Sequence, residues 1–128
     1  MIRRFVSSLA KDRRGTAGIE YALAAPALML LVLGATDVGR LAWTQATLDF
    51  AASSAARCAA FDDACATDSQ VKTFAATQTY GMTVPSSAFA VSLQTCGRQV
   101  SVARAFRFVT PMARTVTLQA SACYPLQP

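Results

Sequence analysis

The hydrophobic and polar positions divide the chain into stretches with different periods. Residues 1–14 are polar and basic, and an apolar run follows over residues 16–35. About 20 residues at 1.5 Å each span a hydrocarbon core of about 30 Å. From residue 38 to residue 59 apolar and small side chains recur at near-helical spacing, and no proline or glycine interrupts residues 41–57. We therefore predict one helix of roughly 40 residues, whose first half spans a membrane.

A second, shorter helix is predicted after an acidic loop at residues 62–68. Asp68 or Ser69 can cap this helix, which then runs to about Tyr80 and stops at Gly81. A calcium-binding reading of the loop lacks the spacing, the central glycine and the terminal glutamate of an EF-hand, so a solvated loop is preferred.

Beyond a linker at residues 84–87 the period changes from 3.6 to 2, which is typical of strands. Alternation over 89–94, 100–108 and 116–122, with a turn at 96–98, predicts three strands. Arg104 breaks the second alternation and indicates a bulge or an exposed edge. Because three strands need cover for their apolar face, we predict an α+β fold with a small antiparallel sheet packed on the long helix.

The location of charge decides the orientation across a membrane. The leader carries five basic residues and one acidic residue, a net charge of +4, whereas the rest of the chain contributes +1. The positive-inside rule keeps such a leader cytoplasmic and places the C-terminal part outside. A nucleic-acid-binding protein would instead spread its basic residues over a folded face.

All four cysteines, Cys58, Cys65, Cys96 and Cys123, follow the apolar run. The chain has no histidine and no Cys-x-x-Cys, so neither a zinc site nor thioredoxin-type chemistry is indicated. Outside the cytoplasm the cysteines can form two disulfides. Three pairings are possible; we favour 58–65, a local link, and 96–123, which joins the ends of the first and third strands.

The segment from Gly15 to Tyr21 holds the most informative chemistry. A glycine closes the basic leader, and Glu20 follows five residues later inside an apolar helix, where a carboxylate is costly and indicates function. Cleavage after Gly15 would create an amine at Thr16 that can neutralise Glu20 of a neighbouring subunit. The alternative is a boundary charge that reaches the membrane interface.

The same segment fits the processing motif of Flp-type prepilins. The longer pattern, with Pro26, then Asp37, Gly39 and Arg40, then Ala51-Ala-Ser-Ser-Ala-Ala-Arg57, resembles the TadE-like pseudopilins of tight-adherence pilus systems. The stretch from Val100 to Ala122 is also similar to that family's tail. Asp37 and Arg40 alone have the i,i+3 spacing of a surface ion pair.

The resemblance implies a minor pilin without enzymatic activity, metal or cofactor. Its leader, residues 1–15, is removed by a prepilin peptidase; residues 16–36 stay in the bacterial inner membrane with the N-terminus cytoplasmic, and residues 37–128 form a periplasmic domain. Implied partners are other pilin subunits, the assembly platform and membrane lipid, not nucleic acid, and the expected roles are pilus assembly and adhesion.

Two other functions are compatible with the apolar run. An unprocessed single-pass anchor could carry a periplasmic binding domain, or the run could be a secretory signal peptide. Against the second, the run is longer than the 7–15 apolar residues of a signal peptide, carries a carboxylate near its start and leads directly into another helical pattern. The serines lack a histidine base and a Gly-x-Ser-x-Gly motif, which argues against a hydrolase.

Overall fold

A computed structural model describes residues 15–110 and 114–126; residues 1–14 of the predicted leader lie outside the described residues, as does Pro111. The elements, in chain order, are helix α1 (Thr16–Phe61), a 3₁₀ turn (Asp63–Cys65), helix α2 (Asp68–Thr77), a second 3₁₀ turn (Ser86–Ala88) and strands β1 (Phe89–Gln94), β2 (Gly97–Phe106) and β3 (Val116–Tyr124). This confirms the predicted α+β fold. By its internal contacts the chain separates into two units after Thr36.

Within the second unit, the buried face of α1 begins at Asp37 and follows a regular stripe. Its buried members recur with a helical period, with half-buried Leu41 between the first two: Asp37, Thr44, Thr47, Leu48, Ala51, Ala52, Ala55, Ala56 and Ala59. Val38 and Ala42, which belong to the predicted apolar stripe, are exposed instead. The helix has 46 residues, somewhat more than the predicted length.

The sheet has the order β1-β2-β3 with both pairs antiparallel, as predicted. Its inner face contributes larger side chains to the same core as the helix alanines: Phe89, Val100, Val102, Phe106, Leu118 and Ala120. Leu93 has the inner parity but is 71% exposed, since it lies at the end of β1, past the core. The turn is one residue earlier than predicted, at Thr95–Cys96, and Gly97 already pairs with Gln94.

Of the two alternatives predicted at Arg104, the bulge is wrong and the exposed edge is confirmed. β2 pairs with β3 without interruption from Arg98 to Phe106, so Arg104 lies opposite Leu118. β1 reaches only as far as Val102, which leaves the last part of β2 without a strand on that side. There the Arg104 guanidinium donates to the Thr83 carbonyl at 3.2 Å.

Helix α2 is shorter than predicted and begins at a different cap. Thr67, rather than Asp68 or Ser69, is the N-cap, and it forms a capping box with Gln70. The helix ends at Thr77 because the Thr79 hydroxyl donates to local carbonyls and the chain turns towards Gly81, whose φ is +74°. Val71 and Ala75 bury its inner face.

The acidic loop before α2 is a structured connection. Asp62 accepts from the Ala64 amide, and Asp68 forms an ion pair with Arg98 at 2.6 Å. Disulfides join Cys58 to Cys65 and Cys96 to Cys123, the pairing favoured above. The first attaches this loop to the end of α1, and the second attaches the β1–β2 turn to the end of β3. Both therefore hold the ends of elements in the second unit.

Candidate functional site

The predicted processing and assembly residues lie in the first turns of α1. Gly15 immediately precedes this helix, and Glu20, Tyr21 and Pro26 are within it. The Glu20 and Tyr21 side chains are exposed. Large apolar side chains surround them on the same segment, with Ile19, Leu23, Leu28, Met29, Leu31 and Val32 all exposed. The structure thus places these motif residues on an unburied helical surface.

This segment has the length and composition of a membrane span. Only 6% of the most apolar 18-residue window of α1 is buried. In water so much exposed apolar surface would be unfavourable, whereas in a bilayer or against other apolar helices it is stable. The first part of α1 therefore fits a single-pass membrane anchor.

Asp37 occupies the position where α1 becomes part of the core. It is only 2% exposed, and its carboxylate accepts hydrogen bonds from residues 72 and 73 positions further along the chain. The Val109 amide donates to both oxygens at 3.0 and 3.1 Å, and the Thr110 amide donates at 2.9 Å. The Thr110 hydroxyl donates at 2.6 Å. We call this arrangement of Asp37, Val109 and Thr110 the Asp37 clamp.

The clamp keeps the carboxylate ionised. The hydrogen bond from the Thr110 hydroxyl, and after it that from the Val109 amide, lowers the pKa of Asp37 from its ordinary value of 3.8 to about 2. Burial acts in the opposite direction, and the Arg40 guanidinium adds a smaller favourable effect. A buried carboxylate with this many donors is a structural anion, since its hydrogen-bonding capacity is satisfied.

Arg40 connects the clamp to the sheet. Its Nη1 donates to Asp37 at 3.2 Å, and its guanidinium carbon lies 5.3 Å from the centre of the Phe106 ring. The Arg40 side chain is 48% exposed. The pair is therefore more than the surface ion pair that its i,i+3 spacing indicates, because one partner is buried and the other stacks on a core aromatic ring.

The sequence did not identify Val109 and Thr110 as partners of Asp37. The buried stripe on α1, extended towards the N-terminus from Leu48 through Thr44 and Leu41, reaches Asp37 and would have indicated an acidic residue on a core face. Its partners carry no such signal, because backbone amides look the same at every position. Gly39, which belongs to the same sequence motif as Asp37 and Arg40, is exposed, and a Cβ there would meet nothing within 4 Å.

The Asp37 clamp provides a mechanical connection within the domain. The described residues contain no cluster of three or more potential metal ligands. The clamp joins the start of the domain helix to the segment that follows β2, and the exposed part of α1 is free to contact lipid or other helices. These features define a class of small subunits with an apolar helical anchor and a disulfide-bearing α+β domain.

Comparison with known proteins narrows this class. Residues 15–57, about a third of the chain, match the family model described as TadE-like protein. Over these residues the chain is similar to TadE-like proteins, in agreement with the resemblance found in the sequence. The match covers the motif residues from Gly15 to Arg57, including Glu20, Asp37 and Arg40. No curated protein and no solved structure matches the chain.

Proposed function

We propose that this chain is a minor pilin or pseudopilin of a tight-adherence pilus, which contributes to pilus assembly and adhesion. In this proposal a prepilin peptidase cuts after Gly15, and residues 16–36 remain in the bacterial inner membrane. The N-terminus is cytoplasmic and residues 37–128 are periplasmic, where the assembly platform can receive the subunit. The observation that carries the proposal is the unburied apolar helix with Glu20 five residues beyond Gly15.

Glu20 acts as an assembly group in this proposal. A carboxylate on an apolar helix is expensive to leave alone, so a subunit arrangement that brings a positive charge to it is favoured. The amine created at Thr16 by cleavage supplies such a charge, on the neighbouring subunit. The pairing would fix the stagger between helices, while the exposed apolar side chains supply the contact area.

The two disulfides support a periplasmic domain. Disulfides persist in oxidising compartments and are rare in the cytoplasm. A domain of this size gains stability from such links, on the order of 2–4 kcal/mol each. The basic leader supports the same orientation through the positive-inside rule.

The mature N-terminus tests the processing step. We expect N-terminal sequencing and intact mass to give a chain that begins at Thr16 in cells with a prepilin peptidase and at Met1 in cells without it. A chain that begins at Met1 in both would contradict the proposal and favour an unprocessed anchor for a periplasmic binding domain. A chain that begins beyond residue 30 would indicate a secreted protein.

The Glu20→Ala substitution tests the assembly role. We expect it to reduce incorporation into pili at least about tenfold, the factor that corresponds to 1.4 kcal/mol, while membrane insertion is retained. Asp49→Ala is the matched control, since Asp49 is an exposed carboxylate on the domain part of α1. Equal incorporation of both variants and the wild type would remove Glu20 from the assembly mechanism.

A further inference from the structure

A groove of about 470 Å³ lies between α1, the turn after α2 and the end of β2. Three arginines line it, Arg40, Arg104 and Arg107, together with Trp43 and Phe106. All belong to the unit formed by residues 37–128. We call it the arginine groove.

The three arginines differ in whether their guanidinium groups already have partners within the domain. Arg40 shares its charge with Asp37, and Arg104 is half-buried and held by the Thr83 carbonyl. Arg107 is exposed. Among the described residues the only ion pairs are Arg40–Asp37 and Arg98–Asp68, so Arg104 and Arg107 have no carboxylate partner there. The groove thus has cationic groups available for an external anion.

Trp43 adds an apolar group with a polar N–H to this basic surface. It is 63% exposed, although tryptophan is usually largely buried in a domain of this kind. Tryptophan is enriched where proteins meet the membrane–water interface, because its ring suits the headgroup layer. An exposed tryptophan beside several arginines is therefore typical of an interfacial surface.

Arg40 and Trp43 follow the apolar segment closely along the chain. Arg40 is four residues beyond Thr36 and Trp43 is seven residues beyond it. The headgroup layer on each side of a bilayer is roughly 5–8 Å thick. Residues that follow a span of 16–36 by so few positions are connected to it closely enough to reach this layer.

Three of the five acidic residues in residues 37–128 lie far from the groove, whereas Asp37 is paired with Arg40 beside it. Asp62, Asp63 and Asp68 follow the C-terminal end of α1, about 36 Å along the helix from Asp37. Arg114, in contrast, precedes β3, whose first residue Val116 pairs with Phe106 in the groove. The charge is therefore uneven within residues 37–128. Near the groove Asp37 offsets one of the arginines, whereas at the other end Arg57, Lys72 and Arg98 offset the three aspartates.

We propose that the arginine groove binds the phosphate headgroups of anionic phospholipids and so docks the domain on the membrane surface before assembly. Guanidinium groups bind phosphate oxygens with two parallel hydrogen bonds, and Trp43 inserts beside them. Because the domain is tethered to the membrane, even weak headgroup contacts are populated. The inference rests on the proposed membrane anchor.

Trp43 provides the measurement, because it is the only tryptophan in the chain. The full chain is reconstituted in vesicles of phosphatidylcholine alone or mixed with phosphatidylglycerol. With the anionic lipid we expect the Trp43 emission to shift to shorter wavelength and acrylamide quenching to fall about twofold, and salt to reverse both effects. Identical emission in the two vesicles would overturn the inference.

The double variant Arg104→Gln/Arg107→Gln should lose the response to anionic lipid. The control Arg57→Gln/Lys72→Gln removes the same charge from residues outside the groove and should retain it. If the first variant melts at a lower temperature because Arg104 no longer reaches Thr83, Arg107→Gln alone is compared, and an unchanged response there would contradict the inference.

Flotation of the vesicles separates the two proposals. A chain that does not float with either vesicle contradicts the membrane anchor itself. A chain that floats with both kinds of vesicle, but whose Trp43 emission is the same in both, contradicts only the docking. Inorganic phosphate that produces the same emission shift with phosphatidylcholine vesicles would show a general anion site and overturn the assignment to lipid.

Discussion

The two parts of α1 differ in the size of their apolar side chains and in whether those side chains are buried. From residue 16 to residue 36 the helix carries leucine, methionine, valine and isoleucine, which are nearly all exposed. From residue 37 to residue 61 its inner face is mostly alanine, which is buried. The more hydrophobic part is thus the part without a core, which is reasonable only if its solvent is lipid or another helix.

The alanines show how the domain is packed. Small side chains let the sheet approach the helix closely, and the volume of the core is then supplied from the other side by residues such as Phe89, Val100 and Phe106. In the anchor segment no such division is present, because large side chains point in all directions. The second part of the helix is therefore suited to pack on one surface, the sheet. The first part is suited to contact lipid or several neighbouring helices.

The largest effect should come from enlarging a buried alanine. Ala55 is fully buried, so Ala55→Leu should overpack the core and lower the free energy of unfolding by about 1–3 kcal/mol. Ala46→Leu is the matched control on the exposed face of the same helix, and alanine and leucine have similar helix propensities. Thermal melts in detergent that show equal losses for both variants would contradict the described packing.

A smaller effect is expected at the boundary between the two parts. Asp37→Asn should lower the melting temperature at neutral pH, because the clamp loses a charged acceptor. Since the pKa of Asp37 is lowered to about 2 in the folded state, its contribution is complete above about pH 4 and is lost as the pH falls to 2. The difference in melting temperature between the wild type and Asp37→Asn should therefore become smaller as the pH is lowered from 6 to 2. A difference that stays constant over this range would refute this role of the carboxylate.

The smallest effect on stability is expected at Gly39. Because a Cβ there meets nothing within 4 Å, Gly39→Ala should leave the domain as stable or increase its stability by up to about 1 kcal/mol through helix propensity. Gly97→Ala should have the opposite sign, since Gly97 has a φ of +122° and its Cβ would collide with the Tyr124 carbonyl. Denaturant unfolding of both variants checks this contrast. A loss of stability in Gly39→Ala would show a packing role that the structure lacks.

The sequence predicted those features that depend on local periodicity. The apolar run, the switch from period 3.6 to period 2 and the glycine-containing turn are local, so α1 and the three strands were found close to their observed bounds. The disulfide pairing could be favoured because Cys96 and Cys123 lie at strand ends that a meander brings together.

The misses have nonlocal or competing causes. Thr67 rather than Asp68 caps α2 because Gln70 completes a capping box with it, and several neighbouring residues are competent caps. The Asp37 clamp depends on backbone amides more than 70 residues away, which only the folded topology brings near. The arginine groove likewise combines α1 with the far end of β2. The roles of Gly15 and Glu20 remain predictions, because they concern other molecules.

The Asp37 clamp also determines where tension would enter the domain. A pull on the anchor is transmitted along α1 to residue 37, the first residue of the folded unit. There, three amide and hydroxyl donors of Val109 and Thr110 form hydrogen bonds to its carboxylate. Part of the load therefore passes to the segment that follows β2, and less of it acts to separate the helix from the sheet. If the subunit is loaded through this helix, as the proposed function implies, the clamp secures the residue at which unfolding of the domain would otherwise start.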